Sequence, residues 1–120
     1  MTNDILSSAY KVHSKLGPGL LERVYRVCLC HELTRLGVSY EVERPFPVDY
    51  DGVIIEIGYR IDLLVEDAVV VEIKAVQSVL PIHEAQLLSY LRLSRKRVGL
   101  LINFNVARLR QGIRRRICGH

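Results

Sequence analysis

Tryptophan is absent from the 120 residues, methionine occurs once, and only three cysteines are present: Cys28, Cys30 and Cys118. An odd, sparse cysteine set does not build a disulfide scaffold, and it predicts a reducing, cytoplasmic setting. No apolar run approaches the ~20 residues needed to cross a bilayer. The longest, around Ala68–Val71 and Val98–Ile102, are strand-sized. Met1–Leu6 has neither a basic nor an apolar stretch, so no export signal is expected there. Repeats, linkers and low-complexity segments are missing too. What remains is a chain with 49% hydrophobic and 25% charged residues, enough for a core and sized for one domain spanning 1–120.

Acidic residues are also missing from one whole region: none occurs after Glu84. The net charge is +4, but it divides into −5 over residues 1–84 (8 Lys/Arg, 13 Asp/Glu) and +9 over residues 85–120 (9 Lys/Arg, no acid). Arg92, Arg95, Lys96 and Arg97 form one basic group, and Arg108, Arg110, Arg114, Arg115 and Arg116 a second. Arginine suits bidentate phosphate contacts, so these groups are candidates for a nucleic-acid backbone footprint. A merely solvated face has the same composition, and charge alone does not choose between them.

Hydrophobic spacing predicts two opening helices. Ile5, Ala9, Val12 and Leu16 recur at helical intervals behind Asp4 as a cap, until Gly17-Pro18-Gly19 interrupts. A second helix is expected from about Leu20 to Leu36, with Gly37 as the stop. The period then changes. Val38–Asp49, Val53–Val65 and Ala68–Ala75 read as three successive strands, the first placed at an edge or broken by Pro45 and Pro47. A helix is expected from Ile82 to about Leu93, and a buried strand over Val98–Phe104. A helical turn and a strand Ile113–Ile117 complete the tail. The order α-α-β-β-β-α-β plus a basic tail predicts a mixed α/β fold on one sheet.

Two acids sit where acids are rarely found. Glu72 and Lys74 end the apolar strand that begins at Ala68, and Asp62 interrupts Ile61-Asp62-Leu63-Leu64-Val65. A two-residue loop at Glu66-Asp67 would put Asp62 and Glu72 on opposite faces. A three-residue loop, Glu66-Asp67-Ala68, pairs them and sets both beside Lys74, and we expect that register. Two close carboxylates repel unless a cation joins them, and an all-oxygen pair suits Mg²⁺ or Mn²⁺. A lysine alongside serves to orient or deprotonate an attacking water, or to neutralise charge on phosphorus. A buried ion pair that only fixes the sheet has the same residue types. Glu22 shares a helix face with Gly19 and Tyr25, and Gln86 with Tyr90, by spacings of three and four.

Together these residues resemble the PD-(D/E)xK nuclease superfamily, and within it the group named for a GxxExxY motif. The matching elements are Gly19-x-x-Glu22-x-x-Tyr25, Asp62, Glu72-Ile73-Lys74 and Gln86-x-x-x-Tyr90, spread over residues 4–117. Ile61-Asp62 stands where the superfamily name has Pro-Asp. The resemblance implies a restriction-endonuclease-like core and a divalent-metal phosphodiesterase centre. On it, Asp62 and Glu72 are metal ligands, and Lys74 positions or activates water. Glu22 is a further ligand or water-orienting acid, and Gln86 and Tyr90 complete the site. The expected function is a Mg²⁺- or Mn²⁺-dependent nuclease acting on DNA or RNA. The alternatives are a catalytically weak nucleic-acid-binding module on the same fold, and a protein whose acids and Lys74 form a structural ion network. The strand edge near Val38–Val48 offers a place for two copies to pair. His13, His31 and His120 are read as ordinary helix or surface residues, and His83 as close enough to touch a substrate phosphate.

Overall fold

The computed structural model describes residues 1–119; for Ile57 only the backbone is described, and His120 lies outside the described residues. Helices α1 (Thr2–Leu16) and α2 (Glu22–Arg35) precede strands β1 (Tyr40–Tyr50), β2 (Val53–Val65) and β3 (Val69–Lys74). Helix α3 (Pro81–Ser94), strand β4 (Val98–Asn103), a 3₁₀ turn at Leu109–Gly112 and strand β5 (Ile113–Ile117) follow. The expected order is therefore observed, with boundaries displaced by one or two residues. One detail differs. Asp4 lies in the first turn of α1, and Met1 is the capping residue, so Asp4 favours the positive helix end without capping it.

The five strands lie in the order β1-β2-β3-β4-β5, with β3 and β4 parallel and the other neighbours antiparallel. Prolines 45 and 47 are tolerated because β1 is an edge strand, whose outward N–H groups need no partner. The pairing of Leu63 with Val71 and Val65 with Val69 leaves a three-residue loop at 66–68, as expected for Asp62 opposite Glu72.

Each face of the sheet is covered. On one, Ile5, Ala9 and Val12 of α1 and Tyr25, Leu29 and Leu33 of α2 pack on Leu63, Val65, Val71, Ile73, Leu100 and Ile102. On the other, Leu87 and Leu91 of α3 pack on Ile61, Leu64, Val70 and Leu101. Gly99 lets α3 approach closely, since a methyl there would press on Leu87. Ile61 and Leu63 share parity yet face opposite layers, so β2 changes face at Asp62. Opposite it, Glu43 has a left-handed φ of 52°, with regular pairs Val42–Leu63 and Arg44–Ile61 on either side. That local twist sits where the site is built.

Candidate active site

Strands β2 and β3 pair only as far as Leu63–Val71 and then part. Past the fork, side chains replace the ladder. The Ile73 N–H donates to Asp62 Oδ2 at 2.8 Å, and the Asp62 N–H donates to Glu72 Oε1 at 3.2 Å. Each carboxylate thus satisfies a backbone donor of the facing strand, and the two acids are locked side by side. Glu72 is only 6% exposed. Burial, reinforced by the Asp62 charge, pushes its carboxyl up to about 8, while the Asp62 N–H and Lys74 oppose the rise. Asp62 is also raised, chiefly by burial; the Ile73 N–H, Lys74 and Arg26 pull the other way.

Glu22 comes from the opposite layer, at the first residue of α2. Tyr25 explains its placement. Fully buried and stacked on Phe104 (centroids 4.6 Å apart), Tyr25 donates its hydroxyl to Gly17 O at 2.7 Å and accepts the Leu20 N–H at 3.1 Å. This clamps the turn that launches the helix. Asn105 Oδ1 accepts the Gly19 N–H at 3.0 Å, tying the same turn to the end of β4. Burial raises the Glu22 carboxyl, Asp62 adds to the rise, and Lys74 and Arg26 counter it. Glu22 thus feels the acid pair and its lysine, without completing a metal-binding cluster: no group of three or more His, Cys, Asp or Glu side chains is arranged to hold an ion among the described residues.

Lys74 follows Glu72 by two positions and makes no ion pair within 4 Å among the described residues. Tyr90 reaches the centre from α3; burial, then the charges of Glu72 and Asp62, raise its hydroxyl. Its ring stacks on Tyr59 (4.7 Å, 7°), which stacks on Phe46 (5.6 Å), so α3 is fastened to the β1–β2 ribbon beside the acids. Tyr59 also donates to the Tyr90 carbonyl at 3.3 Å, and burial pushes its own hydroxyl up to about 12. Gln86 stands one turn before Tyr90, exposed and with no hydrogen-bond partner among the described residues.

The basic residues are split by the sheet. Lys74 and Asn103 mark the site end of β3 and β4, whereas Val69 and Val98 mark the other end. Arg95, Lys96 and Arg97 immediately precede Val98, and Lys96 pairs with Asp67 in the β2–β3 turn at 3.2 Å. They therefore lie a strand's length, about 17 Å, from Lys74. Arg92 projects from the last turn of α3 and donates to Ser89 Oγ at 3.3 Å. Arg108 and Arg110 are exposed around the 3₁₀ turn that follows β4, on the site side. On β5, Arg115 is exposed, Arg114 donates to the carbonyls of Gln111 and Ile113, and Arg116 is paired with Glu84 of α3.

Several contributors were invisible to sequence patterning. Arg26 stands one turn after Glu22 and pairs with Glu43 at 2.7 Å. Asn103, 1% exposed, holds Val76 at both its N–H and its carbonyl, fixing the chain just after Lys74. His13, read as an ordinary helix residue, instead bonds Val106 O at 2.8 Å through Nε2 and anchors α1 to the post-β4 loop. His83 accepts the Leu80 N–H through Nδ1 at 3.0 Å and so caps α3. The groove between α1 and α2, lined by Val12, Lys15, Leu16, Val27, His31 and Glu32 among others, contains none of Glu22, Asp62 and Glu72.

An acid pair at a strand fork, a lysine two positions on and a glutamate from the flanking helix thus lie on a mixed sheet with helices on both faces. The family model of the PD-(D/E)XK nuclease superfamily matches residues 1–116, and the chain belongs to that superfamily. No curated protein and no solved structure matches it. Members of the superfamily are generally nucleases and typically use divalent metals. No helix of the described residues is long and apolar enough to cross a membrane.

Proposed function

We propose that this protein is a Mg²⁺- or Mn²⁺-dependent nuclease of the GxxExxY type, with Asp62 and Glu72 as metal ligands and Lys74 at the attacking water. The observation that carries the reading is the interlocked Asp62–Glu72 pair. Burial and mutual repulsion make two adjacent charges costly there. Their donor set fits a hard cation that takes one or two carboxylates and completes its shell with water and substrate phosphate. When bound, the ion would polarise a phosphate oxygen and lower the pKa of a water.

The chain's own groups supply the rest. Asp62 and Glu72 are held rigid by the facing backbone, so their free oxygens present a fixed geometry. Lys74 is free to donate to the attacking water or to the charge developing on phosphorus. Glu22, its carboxyl raised chiefly by burial, orients water on the α2 side. Tyr90 and Gln86 line the α3 side, toward the substrate. In this reading Arg108, Arg110 and Arg114 contact the phosphate backbone beyond the site, and Arg92, Arg95, Lys96, Arg97, Arg115 and Arg116 extend the positive field. Edge strand β1 is available for pairing two copies. A binding module would have no use for two buried acids whose charge destabilises the fold.

The test is a panel of labelled single- and double-stranded DNA and RNA, incubated with Mg²⁺, with Mn²⁺ or with chelator. Cleavage should require the metal and disappear in Asp62→Asn and Lys74→Ala. Cleavage that survives both substitutions, or binding of every substrate without turnover, would overturn the assignment.

A further inference from the structure

The acid centre is short of positive charge for an anionic substrate. Asp62 and Glu72 lie there with Glu22 near enough for the charges to be felt, Lys74 is the cation of the motif, and a phosphodiester brings another negative charge. Arg26 sits in position to answer this. It follows Glu22 by four residues, so both project from the same face of α2. Its side chain is 19% exposed, and Nη1 lies 2.7 Å from Glu43 Oε1. Glu43 is the residue opposite Asp62 across β1 and β2, where its left-handed backbone interrupts the ladder.

Arg26 is thus held between Glu22 on its own helix and the Glu43–Asp62 position of the sheet. Its charge acts on both Glu22 and Asp62. A guanidinium carries five N–H donors, and only the Glu43 contact is made among the described residues. The other donors make no bond within the described residues and stay open to solvent, in a side chain that is otherwise largely buried beside the acids.

We propose that Arg26 contacts the substrate, donating its unused N–H groups to a phosphate oxygen of the bound strand, and that Glu43 is the positioning residue that holds the guanidinium in place. This rests on the nuclease reading and names a substrate contact that the motif itself does not contain. The planar fork matches a phosphate bidentately and stabilises charge that grows in the transition state.

The variants are Arg26→Met, Arg26→Lys and Glu43→Gln. Two readouts are needed: anisotropy of a fluorescein-labelled 20-nucleotide DNA in Ca²⁺ across a salt series, and Mg²⁺-dependent cleavage of the best substrate of the panel. Arg26→Met should flatten the slope of log K against log salt by about one and lower kcat/KM at least about tenfold. Arg26→Lys should keep the slope and lose about three- to tenfold in kcat/KM, because charge survives without the fork. Glu43→Gln should keep the slope and lower kcat with little change in KM.

If the ion pair only staples α2 to β1, Arg26→Met and Glu43→Gln will lose the same melting temperature. The Arg26→Met slope and kcat/KM will then match wild type, and the proposal falls. If Arg26→Met does not fold, Arg26→Lys decides: unchanged kcat/KM refutes it. A wild type that neither cleaves nor binds removes the nuclease reading and this contact together, whereas a wild type that cleaves beside an equally active Arg26→Met removes the contact alone.

Discussion

Replacing Glu72 by Gln should stabilise the metal-free protein at alkaline pH while abolishing its activity. In the folded chain the Glu72 carboxyl holds its proton up to about 8, against an ordinary value of 4.5. Between those values the folded state binds the proton and the unfolded state does not, so stability is fully present below 4.5 and falls as pH rises toward 8. At about 1.4 kcal/mol per pH unit, the gap from 4.5 to 8 sets a ceiling of about 5 kcal/mol. Because the Asp62 carboxyl beside it is raised as well, part of that cost is spread over the pair, and a loss of about 2–4 kcal/mol is expected. For a chain of this length that corresponds to a melting temperature lower by about 8–16 °C. Glutamine keeps the oxygen that accepts the Asp62 N–H, but it carries no charge. With chelator present, wild type and Glu72→Gln should melt together near pH 4.5 and diverge steadily to pH 8, the variant being the more stable. Titrating groups remote from the acid pair are common to both proteins and cancel, so the difference reports the pair. Parallel curves across the whole range would refute the argument that the buried carboxylate charge strains this fold.

Further consequences are equally direct. Lys74→Met should cut kcat by about 10²–10⁴ with a melting temperature within a few degrees of wild type, because the amine makes no ion pair that holds the fold. Tyr25→Phe removes the hydroxyl that bridges Gly17 and Leu20, and should cost about 1–2 kcal/mol by chemical denaturation; released from its clamp, Glu22 should lose its position, and activity should fall with it. Gly112→Ala would drive a methyl into the Asn103 carbonyl, so a loss of about 2 kcal/mol or more is expected in the same assay. Arg108→Ala with Arg110→Ala should flatten the salt dependence of oligonucleotide binding by about two, whereas Arg95→Ala with Arg97→Ala, at the far end of the sheet, should leave the cleavage rate within about twofold.

The sequence carried the architecture because each element announced itself locally. Helical spacing broke at Gly17-Pro18-Gly19, period-two strands were punctuated by Asp51-Gly52 and Glu66-Asp67, and the two prolines of β1 marked an edge. The pairing of Asp62 with Glu72 was legible for a chemical reason: only the odd-length loop brings two anomalous acids together. What escaped was everything set by three-dimensional partners. Alternation cannot show that β2 changes face at Asp62, since Ile61 and Leu63 look equivalent in the chain and lie in different layers. Linear charge counting makes both basic groups candidates for one backbone footprint, although the length of β4 separates the Arg95–Arg97 cluster from the site end. Arg26 gave no signal at all, because its partner Glu43 lies on another element, and an isolated arginine on a helix reads as solvated. Tyr25 falls in the GxxExxY spacing, and its contacts are structural: it stacks on Phe104 and fixes the turn before Glu22.

The central claim is that Asp62 and Glu72 form a divalent-metal centre, and titrating the protein with Mn²⁺ while counting free ion by electron paramagnetic resonance tests it most directly. One Mn²⁺ should bind per wild-type chain and be displaced by Mg²⁺, with binding lost in Asp62→Asn and in Glu72→Gln. Equal Mn²⁺ uptake by all three proteins would contradict it.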